Sequence, residues 1–179
     1  MSGNPAEGYT LTARVLHWLT ALLVLIMIPI GIAMANADFG EVQDTLYNLH
    51  RSIGAVLLPL VAFRLYWRVI HPAPPLPADI SAIQQLAAHA THWALYALLL
   101  VQPIVGWVAT SAYRAPIQVF WLFELPPIWP VDRPFSETVF AVHRQLGILI
   151  AALLLAHIGA ALYHHFVRRD GVLTRMVGG

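Results

Sequence analysis

The sequence predicts an all-α membrane protein, a four-transmembrane-helix bundle with up-down-up-down topology. Of the 179 residues, 59% are hydrophobic and only 11% are charged, and the mean hydropathy is +0.67. Soluble domains carry about 25% charged residues, so this composition indicates a membrane protein. The apolar residues gather in four stretches, at about 14–36, 46–70, 86–112 and 137–168. Residues 1–179 are expected to form a single integral-membrane domain.

The first predicted span covers residues 14–36. Residues 15–35 carry no charge, and a stretch of about 20 such residues crosses the hydrocarbon core of a bilayer. Pro29 predicts a bend near the far end of the helix, and His17 lies in its first predicted turn. The connection that follows, 36–45, contains three acidic residues and no arginine, so the second span is expected to begin after it.

The second predicted span, 46–70, carries one histidine and two arginines in an apolar background. His50 lies near its start, and Arg64 and Arg68 lie near its end. Arg64 follows His50 by fourteen positions, which in an α-helix returns to within about 40° of the same face and moves about 21 Å along the axis. The proline-rich segment 71–77 then ends the helix and is expected to form a stiff, extended connector.

The third predicted span, 86–112, carries two histidines in its opening turns, His89 and His92. The segment 113–135 that follows is rich in proline and contains two tryptophans. Because tryptophan is enriched at membrane–water interfaces, this segment is expected to lie along the interface and not to cross the membrane.

The fourth predicted span, 137–168, carries a repeat of the spacing seen in the second. Ser136 is expected to cap its N-terminus. His143 and His157 are fourteen residues apart, so both rings are expected on one helix face, about 21 Å apart in depth. An ionisable residue in the middle of an apolar span is rare and usually functional, which makes His157 the strongest candidate ligand.

Four spans place both termini on the same side of the membrane. The chain has no lysine, and six of its ten arginines fall on the side of the termini. These six are Arg14, Arg64, Arg68, Arg168, Arg169 and Arg175, against Arg51, Arg114, Arg133 and Arg144 on the opposite side. Because cytoplasmic segments are enriched in basic residues, both termini are expected to be cytoplasmic.

The predicted depths in the membrane divide four of the histidines into two pairs. The outer side is the side away from the termini. His50 and His143 lie near the starts of two helices that run inward from that side. His17 lies near the inner side, and His157 falls at about the same level, 21 Å below His143. We therefore expect His50 to pair with His143 and His17 with His157. His92 competes with His17 because its depth is similar, and each of these residues could instead be an interfacial histidine bonded to water or headgroups.

The side chains that are present as possible ligands exclude several kinds of metal site. The chain has no cysteine, which rules out iron–sulfur clusters, thiolate zinc sites and covalently attached c-type haem. Zinc needs three or four converging protein ligands, whereas these histidines fall into pairs. Carboxylate-bridged di-iron sites need acidic residues inside the bundle, and only Glu137 lies in a predicted span, at its start. Two axial imidazoles in an apolar slot fit b-type haem, so two non-covalent, bis-histidine haem b groups are expected.

Arginines lie where haem propionates would need cations. Arg51 and Arg144 each adjoin a proposed outer ligand, and Arg64 and Arg68 lie near the inner level. Arginine keeps its charge when buried and pairs bidentately with carboxylates, so all four are candidate cofactor-binding residues. The alternative is that they anchor helix ends by extending to the interface.

Five segments, taken in order, are similar to the bacterial cytochrome b561 family. They are RVLHW at 14–18, LHRSIG at 49–54, HATH at 89–92, PIVG at 103–106 and YHH at 163–165, together with Arg64, His143 and His157. The resemblance covers residues 14–177 and implies a four-helix cytochrome of the bacterial inner membrane with two b haems. His17, His50, His143 and His157 match the ligand positions of the family.

The resemblance also implies an activity, the oxidation of periplasmic superoxide with electrons passed through both haems to ubiquinone. One departure concerns the quinone site, because family members tend to carry lysines after the second helix and residues 71–80 contain none. Related four-helix cytochromes instead serve as subunits that relay electrons between the quinone pool and a redox partner protein such as a hydrogenase.

The residues themselves suit an anionic electron donor on the outer side. Superoxide would be drawn to a rim of arginines, of which Arg51 and Arg144 are the candidate catalytic residues, joined by Arg114 and Arg133. Quinone reduction consumes protons, for which His71, His89, His92 and Asp79 are available on the side of the termini.

Two other functional classes remain open at this stage. The chain could be a relay subunit, although its tails and loops offer little docking surface. It could also be a haem-free scaffold or transporter whose histidines carry protons. A formal net charge of +1 argues against a nucleic-acid partner. The protein is expected to be surrounded by membrane lipid.

Overall fold

Four long helices and one short hairpin make up the computed structural model, which describes residues 8–77 and 79–178. The long helices are α1 (Leu11–Asn36), α2 (Glu41–Ile70), α3 (Ala82–Tyr113) and α4 (Arg133–Tyr163). Each is long and apolar enough to cross a membrane, which confirms the predicted four-helix membrane fold. A π-helix over His164–Arg168 extends α4, and a short helix, α5, covers Thr174–Val177.

Every long helix begins a few residues before the predicted span, because polar residues support its first turn. The four helices begin at residues 11, 41, 82 and 133, and the predicted spans begin at about 14, 46, 86 and 137. The Thr10 side chain accepts a backbone N–H of α1, and Ser81 and Gln84 form a capping box on α3. The first turn of α2 holds two acidic residues, which stabilise a helix N-terminus.

Ser136 was also wrongly predicted to cap α4. The cap is Asp132, whose carboxylate accepts the Phe135 N–H at 3.0 Å. Ser136 lies inside the helix, fully buried, and its hydroxyl donates to the Ala109 carbonyl oxygen of α3 at 2.8 Å. Pro134 is well suited to the first turn of a helix, so the chain is already helical before it reaches Ser136.

The segment between α3 and α4 contains an antiparallel hairpin that was not predicted. Strand β1 (Ile117–Val119) pairs with β2 (Phe123–Leu125), so that Gln118 lies opposite Glu124. The hairpin packs against α2, where the fully buried hydroxyl of Ser52 accepts the Phe120 N–H at 2.7 Å.

An apolar core fills the middle of the bundle. α1 packs against α2, α2 against α3, and α3 against α4. The buried core residues come from all four helices: Val24, Ile53, Leu57, Val61, Leu99 and Ile150. Along each helix, these core residues lie between the polar residues predicted near the outer side of the membrane and those predicted near the inner side. The core therefore separates an outer level and an inner level of polar residues.

Candidate metal centres

The outer level contains the first predicted histidine pair. His50 of α2 and His143 of α4 face each other with ring centroids 6.1 Å apart and ring planes at 75°. Both side chains are half-buried. The Nδ1 atom of each ring is buried and has no hydrogen-bond partner among the described residues. Two facing imidazoles of this kind can donate nitrogen lone pairs to a metal.

Each outer ring lies against a glycine of a neighbouring helix. A Cβ atom on Gly106 of α3 would lie 2.9 Å from Cε1 of His143, and one on Gly31 of α1 would lie 3.2 Å from Cε1 of His50. The missing side chains therefore provide the space that the rings occupy. The sequence signal for such a role is a glycine inside an apolar helix, which often marks a close approach.

Gln102 adds a further contact to the outer level. Its Nε2 donates to the His143 carbonyl oxygen at 2.8 Å. This bond joins α3 to α4 at the residue that carries the ring, and it was not foreseen from the sequence. Gln102 lies one turn before Gly106 on α3, so the same stretch of helix positions both the backbone and the ring of His143.

The inner level contains the second predicted pair and a third histidine. His17 of α1 and His157 of α4 have ring centroids 6.1 Å apart and ring planes at 67°. His92 of α3 lies 5.3 Å from His157 by the same measure. His157 therefore has two imidazole neighbours, which are the two that the sequence placed at this depth.

Arg64 engages His17 directly. Its Nη2 lies 2.7 Å from Nδ1 of His17, and its guanidinium lies over the Tyr96 ring at 5.1 Å from the centroid. Because a guanidinium only donates, Nδ1 must be the acceptor and the ring proton must sit on Nε2. A metal bound at Nε2 would need that nitrogen's lone pair, so ligation there requires Arg64 to release His17.

The second inner arginine, Arg68, has one buried nitrogen, Nη1, without a hydrogen bond in the described part of the chain. Arg64 and Arg68 are one turn apart on α2 and both are half-buried. Two cations at this level suit a ligand that carries carboxylates.

The two outer arginines differ in their surroundings. Arg51 is half-buried, donates to the Pro116 carbonyl oxygen at 3.0 Å and lies 5.1 Å from the Tyr47 ring centroid. Arg144 is exposed on α4. Arg51 is thus fixed between α2 and the hairpin, whereas Arg144 is free to meet a solute.

A network on the side of the termini was not predicted. His164 contacts Asp170 at 2.5 Å, and Arg168 bonds to both Asp170, at 3.0 Å, and Asp79, at 2.5 Å. Burial by itself would raise the pKa of Asp170, but hydrogen bonds from His164, the Val172 N–H and Arg168 outweigh it and hold that pKa below its ordinary value. The network ties the end of α4 to the connector before α3, and it occupies Asp79, one of the predicted proton donors.

The donor set fits b-type haem. Among residues 8–77 and 79–178, no group of three or more histidine or acidic side chains is arranged to hold a metal ion. Each level instead offers facing imidazoles and at least one nearby guanidinium. Haem iron can take two imidazole ligands, and in the described part of the chain the buried Nδ1 atoms of His50 and His143 have no hydrogen-bond partner, so these rings are compatible with such a role.

Comparison with known proteins also indicates a protein that binds b-type haem. Residues 8–179 match the family model described as prokaryotic cytochrome b561. The chain is 36% identical to cytochrome b561 homolog 2 of Escherichia coli (strain K12), covering 98% of this chain and 94% of that protein. It is 28% identical to the probable superoxide oxidase CybB of Yersinia pestis, covering 90% and 91% of the two chains. The chain therefore belongs to the prokaryotic cytochrome b561 family, whose members are multi-pass membrane proteins that bind b-type haem and transfer electrons.

Proposed function

We propose that this protein holds two b-type haems at two depths of the bacterial inner membrane, oxidises superoxide on the outer side and reduces ubiquinone. The observation that carries the proposal is the pair of facing histidines at each level, with the same 6.1 Å between ring centroids at both. His50 and His143 would hold the outer haem, and His17 and His157 the inner one.

A bound b-type haem supplies one-electron transfer. The chain's own residues would orient it: the two facing imidazoles at each level would hold the iron, and Gly31 and Gly106 keep the outer rings close to α1 and α3. At the inner level, Arg64 and Arg68 would bind the propionates. For Arg64 this requires the exchange of its bond with His17 for a charge-assisted bond to a carboxylate, which is the stronger type.

The outer side offers a site for an anionic substrate. Superoxide gives up one electron and leaves as O2, and two such electrons with two protons convert one quinone to quinol. Arg51 and Arg144 would attract the anion and hold it near the outer level. The name of the Yersinia pestis relative supports this substrate, and Arg144 is the more accessible of the two arginines.

Quinone reduction is assigned to the side of the termini. That side holds six of the ten arginines, so the positive-inside rule supports cytoplasmic termini. His71 and His89 are exposed there and are available to supply protons. Asp79 is engaged by Arg168, which makes it the less suitable donor.

The test is anaerobic purification followed by haem counting and superoxide addition. Two haems per chain, reduced by superoxide without another protein and reoxidised by ubiquinone, would support the proposal. One haem per chain would contradict the two-level arrangement. Two haems that remain oxidised with superoxide, yet are reduced by quinol, would identify a relay subunit that serves a partner protein.

A further inference from the structure

The turn of the hairpin and the first residue of β2 carry four consecutive large apolar residues. Phe120, Trp121, Leu122 and Phe123 are 39%, 58%, 81% and 57% exposed. Together they form one apolar patch at the end of β1 and β2, here called the hairpin tip. A contiguous exposed patch of this kind marks an interaction surface, and the electron-transfer function does not use it.

The backbone of the hairpin tip is held in an unusual conformation. Phe120 and Trp121 have φ angles of 49° and 61°, and the Leu122 N–H donates to the Val119 carbonyl oxygen at 3.0 Å. Turn positions with a positive φ normally carry asparagine or glycine. Bulky residues are uncommon there, and the Phe120 N–H is held by the Ser52 hydroxyl.

The contacts with α2 fix the depth of the hairpin. Arg51, which binds the Pro116 carbonyl oxygen, and Ser52, which binds Phe120, are adjacent in sequence. Residues 52–63 that follow them carry no charge. Both the base and the tip of the hairpin therefore lie where α2 passes from charged to uncharged sequence, which is the level of a membrane surface.

Exposed apolar surface of α2 begins below the residue that holds the hairpin tip. Val56 lies one turn deeper than Ser52 on the same helix face and is 41% exposed. The polar pair of the hairpin, Gln118 and Glu124, is also exposed. The hairpin thus combines an apolar tip, fixed to α2 one turn above exposed apolar surface, with a polar cross-strand pair.

We propose that the hairpin tip inserts into the lipid leaflet opposite to the termini and anchors the segment between α3 and α4 in the interface. The partner is phospholipid, because the patch is rich in aromatic residues, which favour the headgroup level, and because the hairpin is fixed to α2 where the uncharged stretch of that helix begins. Insertion would hold β1 over Ser52, two residues from His50, and so keep the outer level covered.

The natural absence of cysteine makes a direct test possible. The full, haem-loaded chain carrying Leu122→Cys is spin-labelled, reconstituted in phosphatidylcholine vesicles, and probed by electron paramagnetic resonance with oxygen, which partitions into lipid, and a nickel chelate, which stays in water. Glu124→Cys on the same hairpin is the matched control. We expect the ratio of oxygen to nickel accessibility to be several-fold higher at position 122 than at position 124.

Two results would overturn the proposal. Equal access of the nickel chelate to both positions would place the tip in water. Shielding of position 122 from both reagents would show that protein covers it, such as a second copy of the chain. Phe123→Cys provides an independent position on the tip, and an unchanged visible spectrum of each labelled variant verifies the fold.

Discussion

Gly106→Ala tests the positioning of His143 most directly. A Cβ at position 106 would lie 2.9 Å from Cε1 of the ring, so reaching the 3.4 Å at which ordinary contact begins requires a shift of at least 0.5 Å. Gly159→Ala is the matched control, because Gly159 lies on α4 and a Cβ there would meet nothing within 4 Å.

The expected magnitude follows from two opposing effects. Both substitutions gain helix propensity, since glycine is about 1 kcal/mol less favourable than alanine inside a helix. Only Gly106→Ala also overpacks its surroundings, which costs about 1–3 kcal/mol. We therefore expect Gly106→Ala to be about 1–3 kcal/mol less stable than Gly159→Ala. Because His143 is the proposed outer ligand, one of two haems should also be lost or change its potential.

Both variants and the natural protein should be measured in one detergent. Thermal unfolding compares their stability, haem per chain reports occupancy, and a redox titration followed by visible absorbance separates the two centres. A Gly106→Ala protein that unfolds together with Gly159→Ala and keeps two haems at unchanged potentials would refute the packing argument.

Three further predictions concern the inner level and the end of α4. His17→Ala and His157→Ala should each hold one haem where the natural protein holds two, while His92→Ala should retain both; loss of haem from His92→Ala but not from His17→Ala would reverse the ligand assignment. Arg64→Gln should lower the potential of one haem by on the order of tens of millivolts, because a nearby positive charge disfavours the oxidised form, whereas Arg64→Lys should largely preserve it. Since the pKa of Asp170 is lower in the folded protein than its ordinary 3.8, its ionised form stabilises the fold above that pH, and this stability is lost as the pH falls through the lower folded pKa. Asp170→Asn should flatten that part of a plot of melting temperature against pH, and an unchanged plot would contradict the assignment.

The histidine pairs could be anticipated because helix geometry is regular. A spacing of fourteen residues fixes both face and depth, and the direction of each span follows because successive spans cross the membrane in opposite directions. The rings of His50 and His143, and those of His17 and His157, accordingly lie together in the structure. His92 was also predicted as the alternative to His17, because its position in the sequence places it at a similar depth.

Contacts between helices could be predicted less well from the sequence. Gly31 and Gly106 differ from other helical glycines only in what faces them, and this depends on how the helices are rotated. Ser136 and Asp132 can both cap a helix, so tertiary packing of Ser136 against α3 decided between them. The hairpin was missed because Phe120 and Trp121 occupy turn positions that normally signal themselves by asparagine or glycine.

The different surroundings of the two levels predict a direction for electron flow. The inner level has two half-buried arginines, Arg64 and Arg68, whereas the outer level has one, Arg51, and an exposed Arg144 that solvent screens. Positive charge in a low-dielectric environment favours the reduced form of a nearby centre. The inner haem should therefore have the higher potential, and transfer from the outer to the inner level should be downhill, as the proposed oxidation of superoxide requires. A redox titration of His157→Ala identifies the centre that remains; if that outer centre has the higher of the two natural potentials, the charge argument fails and the opposite direction is favoured.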